Sequence, residues 1–230
     1  AYPTLLDIPD DVDLAMIILP PNLAVKAVED AIAKGVKGIV IVSAGFREVG
    51  EEGRRIEDRI VAMCREAGVR VYAAVSKFSV RNPVHEDSIY NSLTPQADYV
   101  SLGHRLSGTL NFPRRVGTAY YNAAVWRTYN TFASAVAESV REFGLSAPMH
   151  ILKADGGTMP FAVSRQTPVE SILSGPAASV MGIIALCDVV DDCVILDIGG
   201  TTTDIAIFAQ GAPVIEPRGI EVGSYPWLLY

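Results

Sequence analysis

Over its first third the chain predicts an α/β fold built on a parallel, doubly wound sheet, and three observations carry that prediction. Short, almost unbroken apolar runs recur at residues 12–19, 38–44 and 69–76. Amphipathic patterns of helical period separate them. Glycine or proline marks nearly every junction. Runs of this length suit strands covered on both faces, as parallel strands are.

The elements follow in order. VDLAMIIL (12–19) is the first strand, bounded by acids and by Pro20-Pro21. Asn22 can cap a helix to about Lys34, with Leu23, Val25, Val28, Ala31 and Ile32 on one face and Gly35 as its stop. GIVIVSA is the second strand, followed by the loop Gly45–Gly53. A helix from about Arg54 to Ala67 buries Ile56, Ile60, Val61 and Cys64, and Gly68 ends it before the third strand, VRVYAAVS. Residues 77–113 break the periodicity and read as loop-rich with short elements. Residues 119–143 form one long helix stopped by Gly144. The strand MHILKA runs into the turn Asp155-Gly156-Gly157. The helix SGPAASVMGIIAL carries small residues (Gly175, Ala177, Ala178, Ser179, Gly182) that permit close packing. Gly211 and Pro213 close the last strand.

Composition narrows the function. The 230 residues are half hydrophobic and one-fifth charged, with net charge −7. That suits a globular chain and gives no support to nucleic-acid or anionic-membrane binding. No apolar run approaches the ~20 residues of a bilayer span. Cys64, Cys187 and Cys193 fit neither a disulfide framework nor a zinc site, which points to a cytoplasmic protein. A first residue Ala1 and an apolar end, PWLLY, suggest a piece of something longer.

The most informative run is DCVILDIGGTTTDIAIF, Asp192 to Phe208. It reads as two strands joined by a tight turn, with Asp197 just before it and Asp204 just after. Gly199 and Gly200 leave room for positive φ and for close approach of a ligand. Thr201, Thr202 and Thr203 set hydroxyls beside backbone N–H groups, as phosphate oxygens require. The two acids could hold Mg²⁺ through water. The plainer alternative is an ordinary glycine hairpin with two solvated acids.

Two resemblances cover the chain. AYPTLLDIPDDVDLAMIILP, KGVKGIVIVSAGFREVGEEG and REAGVRV, within about residues 1–71, resemble the second half of the CoA-binding domain of ADP-forming acyl-CoA synthetases, relatives of the succinyl-CoA synthetase α subunit. That resemblance implies a partial Rossmann-like unit whose CoA cleft is lined by Leu19, Pro20, Ser43, Ala44, Gly45 and Phe46. The glycine-rich first turn, the asparagine motif and the phosphorylatable histidine domain of that family are absent from this sequence.

From about residue 66 to 230, KFSVRNPVHE, GHRLSGTLNFPRRVGTAYYNAAV, KADGGTM, SILSGPAASVMG and DIGGTTTDIAI resemble the A subunit of the hydantoinase/oxoprolinase family. That resemblance implies part of an actin-like (ribonuclease-H-like) ATPase fold. Asp197–Asp204 would be its second phosphate hairpin and Ser174–Gly182, with Gly175, its hinge helix. The two patterns overlap at residues 54–76, so a chimera with a seam there and segments 1–71 and 72–230 is expected, its sheet continuous across the seam.

The resemblance implies an ATP-dependent cyclic-amide hydrolase, incomplete and inactive alone, that phosphorylates the ring carbonyl. Its partners would be a B subunit or a second copy, and a small cyclic amide. Asp197 and Asp204 would be catalytic and hold Mg²⁺; Gly199, Gly200, Thr201, Thr202, Thr203 and Gly175 would bind ATP; Pro20, Ser43 and Gly45 would bind CoA. The alternatives are a piece of an ADP-forming acyl-CoA synthetase and a non-catalytic interaction module. Among single residues, His85 reads as a loop-capping group, His150 as a packing histidine, and Asp155 equally as a cleft carboxylate or a turn-former. His104, Arg105, Arg114 and Arg115 could clamp an anion or form surface ion pairs. Tyr120, Tyr121, Trp126, Tyr129 and Phe132 read as core or interface.

Overall fold

A computed structural model describes residues 2–42, 45–215, 221–222 and 225–226. The chain divides into two compact units, Ala1–Ala74 with Asn82–Ser101 and Val75–Arg81 with Leu102–Tyr230. Among the described residues no helix is long and apolar enough to cross a membrane.

The first unit begins with β1 (Leu14–Ile17), α1 (Pro21–Lys34), β2 (Gly38–Ile41) and α2 (Glu51–Glu66). β1 and β2 pair in parallel, Leu14 opposite Gly38 through Ile17 opposite Ile41, as the two apolar runs predict. Ala24, Val28 and Ala31 of α1 are fully buried. Ile17, Ala24, Val25, Val28 and Ile60 form the core, with Phe46, Ile56, Met63 and Cys64 packed on it. Taking these apolar groups out of water is the main stabilisation of so short a strand pair.

Two helix starts in this unit differ from expectation. α1 begins at Pro21, capped by Pro20, whose carbonyl accepts from Leu23 N and Ala24 N at 2.9 Å; Asn22 is not the cap. A proline at the first helical position loses nothing, because that N–H has no partner in the helix. α2 starts at Glu51, before the expected Arg54, and so contains Gly53. A Cβ on Gly53 would lie 1.9 Å from the Phe46 carbonyl oxygen, so the glycine serves close contact between helix and loop.

β3 (Val71–Ala74), α3 (Val84–Leu93) and β4 (Tyr99–Leu102) complete this region. The expected continuous sheet does not form: among the described residues the strands fall into five small sheets, and β3 pairs with β4 rather than with β1 or β2. The partner strand β4 is one of the short elements of the loop-rich stretch. Asp98 N, just before it, donates to Arg70 O at 2.7 Å.

The second unit holds α4 (Gly103–Leu106), α5 (Phe112–Glu142), β5 (His150–Leu152), β6 (Thr158–Pro160), α6 (Phe161–Ser164), α7 (Ser174–Leu186), β7 (Cys193–Ile198), β8 (Thr203–Ala209) and β9 (Ala212–Pro213), then the pair β10 (Glu221–Val222) and β11 (Tyr225–Pro226). α5 starts seven residues before the expected 119, because Asn111 accepts from Arg114 N and Pro113 fits the first turn. Its buried Arg115 donates to Thr109 O at 2.5 Å and to Ser76 O and Lys77 O at 2.8 Å. Buried Asn122 receives Val169 N at 3.1 Å and donates to Gln166 O at 3.2 Å. Tyr129 donates to Ser164 Oγ, but Phe132 is 58% exposed, so the aromatic residues do not form one buried stripe.

Gly53→Ala is expected to lower stability by about 2 kcal/mol or more, against the usual gain of about 1 kcal/mol for alanine in a helix. Gly182→Ala, where nothing stands within 4 Å of the added Cβ, is the control with the opposite sign. Urea unfolding of both variants checks this, and equal shifts would remove the close contact from the account. Arg115→Met removes this donor from the Thr109, Ser76 and Lys77 carbonyls, of which Ser76 O keeps Ser79 Oγ at 3.0 Å, and should cost about 3 kcal/mol in the same measurement.

Candidate functional site

In the first unit the candidate residues lie just past the carboxyl ends of β1 and β2, where open α/β sheets bind ligands. Ile18, Leu19 and Pro20 follow β1 and are exposed, Ile18 by 68%. Gly45 follows β2 with φ +102°, and a Cβ there would lie 2.9 Å from Pro21 Cγ. The structure therefore brings Pro20-Pro21 and Gly45 together. Ser43 and Ala44 lie outside the described residues.

Beyond Gly45, Phe46 joins the core, while Arg47 reaches Glu57 and Asp58 of α2, each at 3.1 Å. Glu48 Oε1 accepts from Gly45 N at 2.5 Å. Burial pushes the Glu48 carboxyl up, but the backbone N–H groups of Gly45, Glu48 and Phe46 and the nearby His85 outweigh it and hold it below its ordinary value. Glu48 is a residue that the sequence reasoning missed. Its signal was the spacing in GFRE, which lets a carboxylate fold back on an amide three residues earlier, as in a capping box.

A groove between α1 and α2 is lined by Asn22, Lys26, Glu29, Arg55 and Arg59 among others. Its cations already have partners: Lys26 with Asp30 at 2.8 Å, Arg59 with Glu29 at 2.9 Å and Arg55 with Glu51 at 3.7 Å. That makes it a paired surface rather than an anion site.

In the second unit β7 and β8 form the expected antiparallel hairpin, with Asp197 directly opposite Asp204 and Ile198 opposite Thr203. Gly199 N donates to Thr202 O at 2.9 Å and closes the turn. Neither Gly199 nor Gly200 has positive φ, so the expected conformational reason for these glycines is corrected. What they leave is space: nothing stands near a Cβ on Gly200, and Gly199 faces only Thr202 O at 3.2 Å. Gly199, Gly200, Thr201, Thr202 and Thr203 are all exposed.

Alternation divides the hairpin into two faces. Asp197 and Asp204 share a face with Cys193, Ile195, Ala206 and Phe208. The opposite face presents Val194, Leu196, Ile198, Ile205 and Ile207, each more than half exposed. Ser179 of α7 donates to Asp197 Oδ2. Met181 of the same helix lies 3.1 Å from the position of a Cβ on Gly156. Three predicted motifs, the Asp155 turn, α7 and the glycine hairpin, thus meet along α7. Gly175 sits in its first turn with open space around it. Asp197 and Asp204 are a pair of carboxylates; among the described residues no group of three or more His, Cys, Asp or Glu is placed to hold a metal ion.

Asp155 is a turn-former: its Oδ1 accepts from Gly157 N at 2.8 Å, and Oδ2 from Lys153 at 2.9 Å. Lys153 also reaches Glu170 at 3.1 Å. Arg115 donates to backbone carbonyls. His150 is exposed, which corrects the packing role expected for it, and His85 is exposed on α3. Asn82, rather than His85, caps that turn by accepting from Val84 N.

Two families match separate parts of the chain: the CoA binding domain over residues 1–76 and hydantoinase/oxoprolinase over residues 115–226. The chain therefore joins an N-terminal segment similar to a CoA-binding family to a C-terminal segment similar to the hydantoinase/oxoprolinase family. Acetate–CoA ligase [ADP-forming] II of Archaeoglobus fulgidus is 42% identical over 31% of this chain and 10% of its own length. Acetate–CoA ligase [ADP-forming] I of the same organism is 30% identical over 52% of this chain and 18% of its own. The crystal structure of ATP-dependent caprolactamase from Pseudomonas jessenii superposes on 85% of this chain and 32% of its own, with TM-score 0.58 and 21% identity.

That superposition gives the fold class, mixed α/β with a Rossmann-like region and part of an actin-like fold. Six curated relatives are ADP-forming CoA ligases, and the chain spans 10% to 18% of their lengths. They overturn the expected cyclic-amide hydrolase, and with it the cyclic amide substrate and the hydantoinase-type B subunit. A fold segment shared with an amide-opening enzyme does not carry that chemistry with it.

The Lys153 ammonium holds the Asp155 carboxyl below its ordinary value; burial opposes this and the Gly157 N–H assists. A lowered folded value means that the stabilisation is complete above the ordinary 3.8 and is lost as pH falls through the folded value. Asp155→Asn should therefore narrow the stability gap between neutral pH and about pH 3 by on the order of 0.5 kcal/mol, the pair being partly solvent-screened. Urea midpoints at the two pH values read this directly, and an unchanged gap refutes it.

Proposed function

We propose that this chain is a CoA-handling part of an ADP-forming acyl-CoA ligase, which couples conversion of ATP to ADP with formation of a CoA thioester from a small carboxylic acid. The observation that carries this reading is the contact between Gly45 and Pro21 at the carboxyl ends of the parallel pair β1–β2, within the segment that matches a CoA-binding family. Pro20 and Gly45 line the CoA cleft, and Ser43, outside the described residues, is assigned to CoA by the same proposal. CoA and ATP are the cofactors, with Mg²⁺ accompanying ATP.

The glycine hairpin takes the nucleotide phosphates in this reading: exposed Gly199 to Thr203 offer amides and hydroxyls, and Gly175 opens the helix beside them. Asp197 and Asp204 would hold hydrated Mg²⁺ and act on the reacting phosphate. Like charges directly opposite across a strand pair are destabilising, and a bound cation relieves that. A companion subunit is part of the proposal, since two Pyrococcus furiosus relatives are themselves named α subunits. The working division is 1–71 for the CoA segment and 72–230 for the rest, with a recombination seam within residues 54–76. The compartment is the cytoplasm, in keeping with three unpaired cysteines.

Isothermal titration of the chain with CoA tests the reading. Saturable binding that both Pro20→Asp and Gly45→Val abolish supports it, because valine at φ +102° meets backbone strain and the Pro21 ring together. No binding by the unaltered chain, or binding that survives both substitutions, rejects it. Asp204→Asn should weaken MgADP about tenfold or more without lowering the melting temperature; unchanged affinity removes that carboxylate from the site.

A further inference from the structure

We propose that Glu48 is a positioning residue for CoA, its carboxylate stapling the loop after β2 into the shape that receives the ligand; this rests on the CoA-binding reading above. Consecutive residues of that loop are held in three different ways. Phe46 is packed on the core formed by Ile17, Val28 and Ile60. Arg47 is drawn onto α2 by Glu57 and Asp58 and reaches Ser92 of α3 at 3.4 Å. Glu48 turns back, and its Oε1 accepts the Gly45 N–H at 2.5 Å.

Gly45 itself has a backbone in need of a restraint. Its φ of +102° is open to glycine at little cost, so glycine alone does not select it. The hydrogen bond from Gly45 N to Glu48 supplies that selection and fixes how close Gly45 stands to Pro21. The carboxylate is thereby engaged with the loop's own amides, so its role is to shape the cleft rather than to touch CoA. A loop already fixed in its bound shape pays less ordering entropy when the ligand arrives.

The experiment compares Glu48→Ala and Glu48→Gln by CoA titration, thermal unfolding and amide hydrogen exchange. Glu48→Ala should weaken CoA about tenfold, with a melting shift under about 3 °C, and speed exchange at Gly45 N. Glu48→Gln keeps an amide oxygen to accept the same N–H, so it should restore affinity to within about threefold. Glutamine as poor as alanine overturns the proposal, since the charge itself would then be what CoA needs. Full CoA affinity in Glu48→Ala overturns it too, as does a loss of affinity matched by general unfolding. If the unaltered chain binds no CoA, the functional reading fails and the CoA role with it. Unchanged exchange at Gly45 in Glu48→Ala removes the staple itself, whatever CoA does.

Discussion

The contact between Gly53 and the Phe46 carbonyl is the constraint on which the first unit turns. It seats the first turn of α2 directly on the loop that leaves β2, with no side chain between them. Phe46 can then enter the core while Arg47 meets the acids of α2. Gly45 is left against Pro21, at the start of α1. A strand pair of only four residues each has little rigidity of its own. The two helices and this strapped loop give its carboxyl edge a defined shape, which a binding cleft requires.

The second unit is organised differently. Its longest helix, α5, is anchored by buried polar side chains, Arg115 and Asn122, that satisfy backbone groups of distant segments. Such bonds fix where loops run, because a buried carbonyl without a donor is expensive. The glycine hairpin extends from this frame with its acids on one face and five exposed apolar side chains on the other. The face with the acids is the one α7 reaches, through Ser179.

Two segments with different family likenesses share this chain, and only one of them agrees with the proposed activity. The hydantoinase-like stretch over residues 115–226 contains the glycine hairpin of β7 and β8. The first seventy or so residues align instead with ligases that use CoA. Function follows the site rather than the scaffold. The resemblance that spanned more of the chain therefore misdirected the functional expectation.

Local physics was legible in the residues alone. The parallel pair β1–β2, the stop at Gly35, the hairpin around Gly199-Gly200 and the turn at Asp155 follow from short apolar runs, a positive-φ glycine at 35 and short-range side-chain bonds. What needed the tertiary structure involves partners far apart in sequence. β4 was hidden in an irregular stretch because a strand is completed by its neighbour, here β3, and not by its own pattern. Gly53 inside α2 and Arg115 inside the fold read as flexible and charged until Phe46, Ser76 and Lys77 are brought against them. Periodicity reports which face of an element is apolar; only the folded chain decides what that face, or a buried charge, meets.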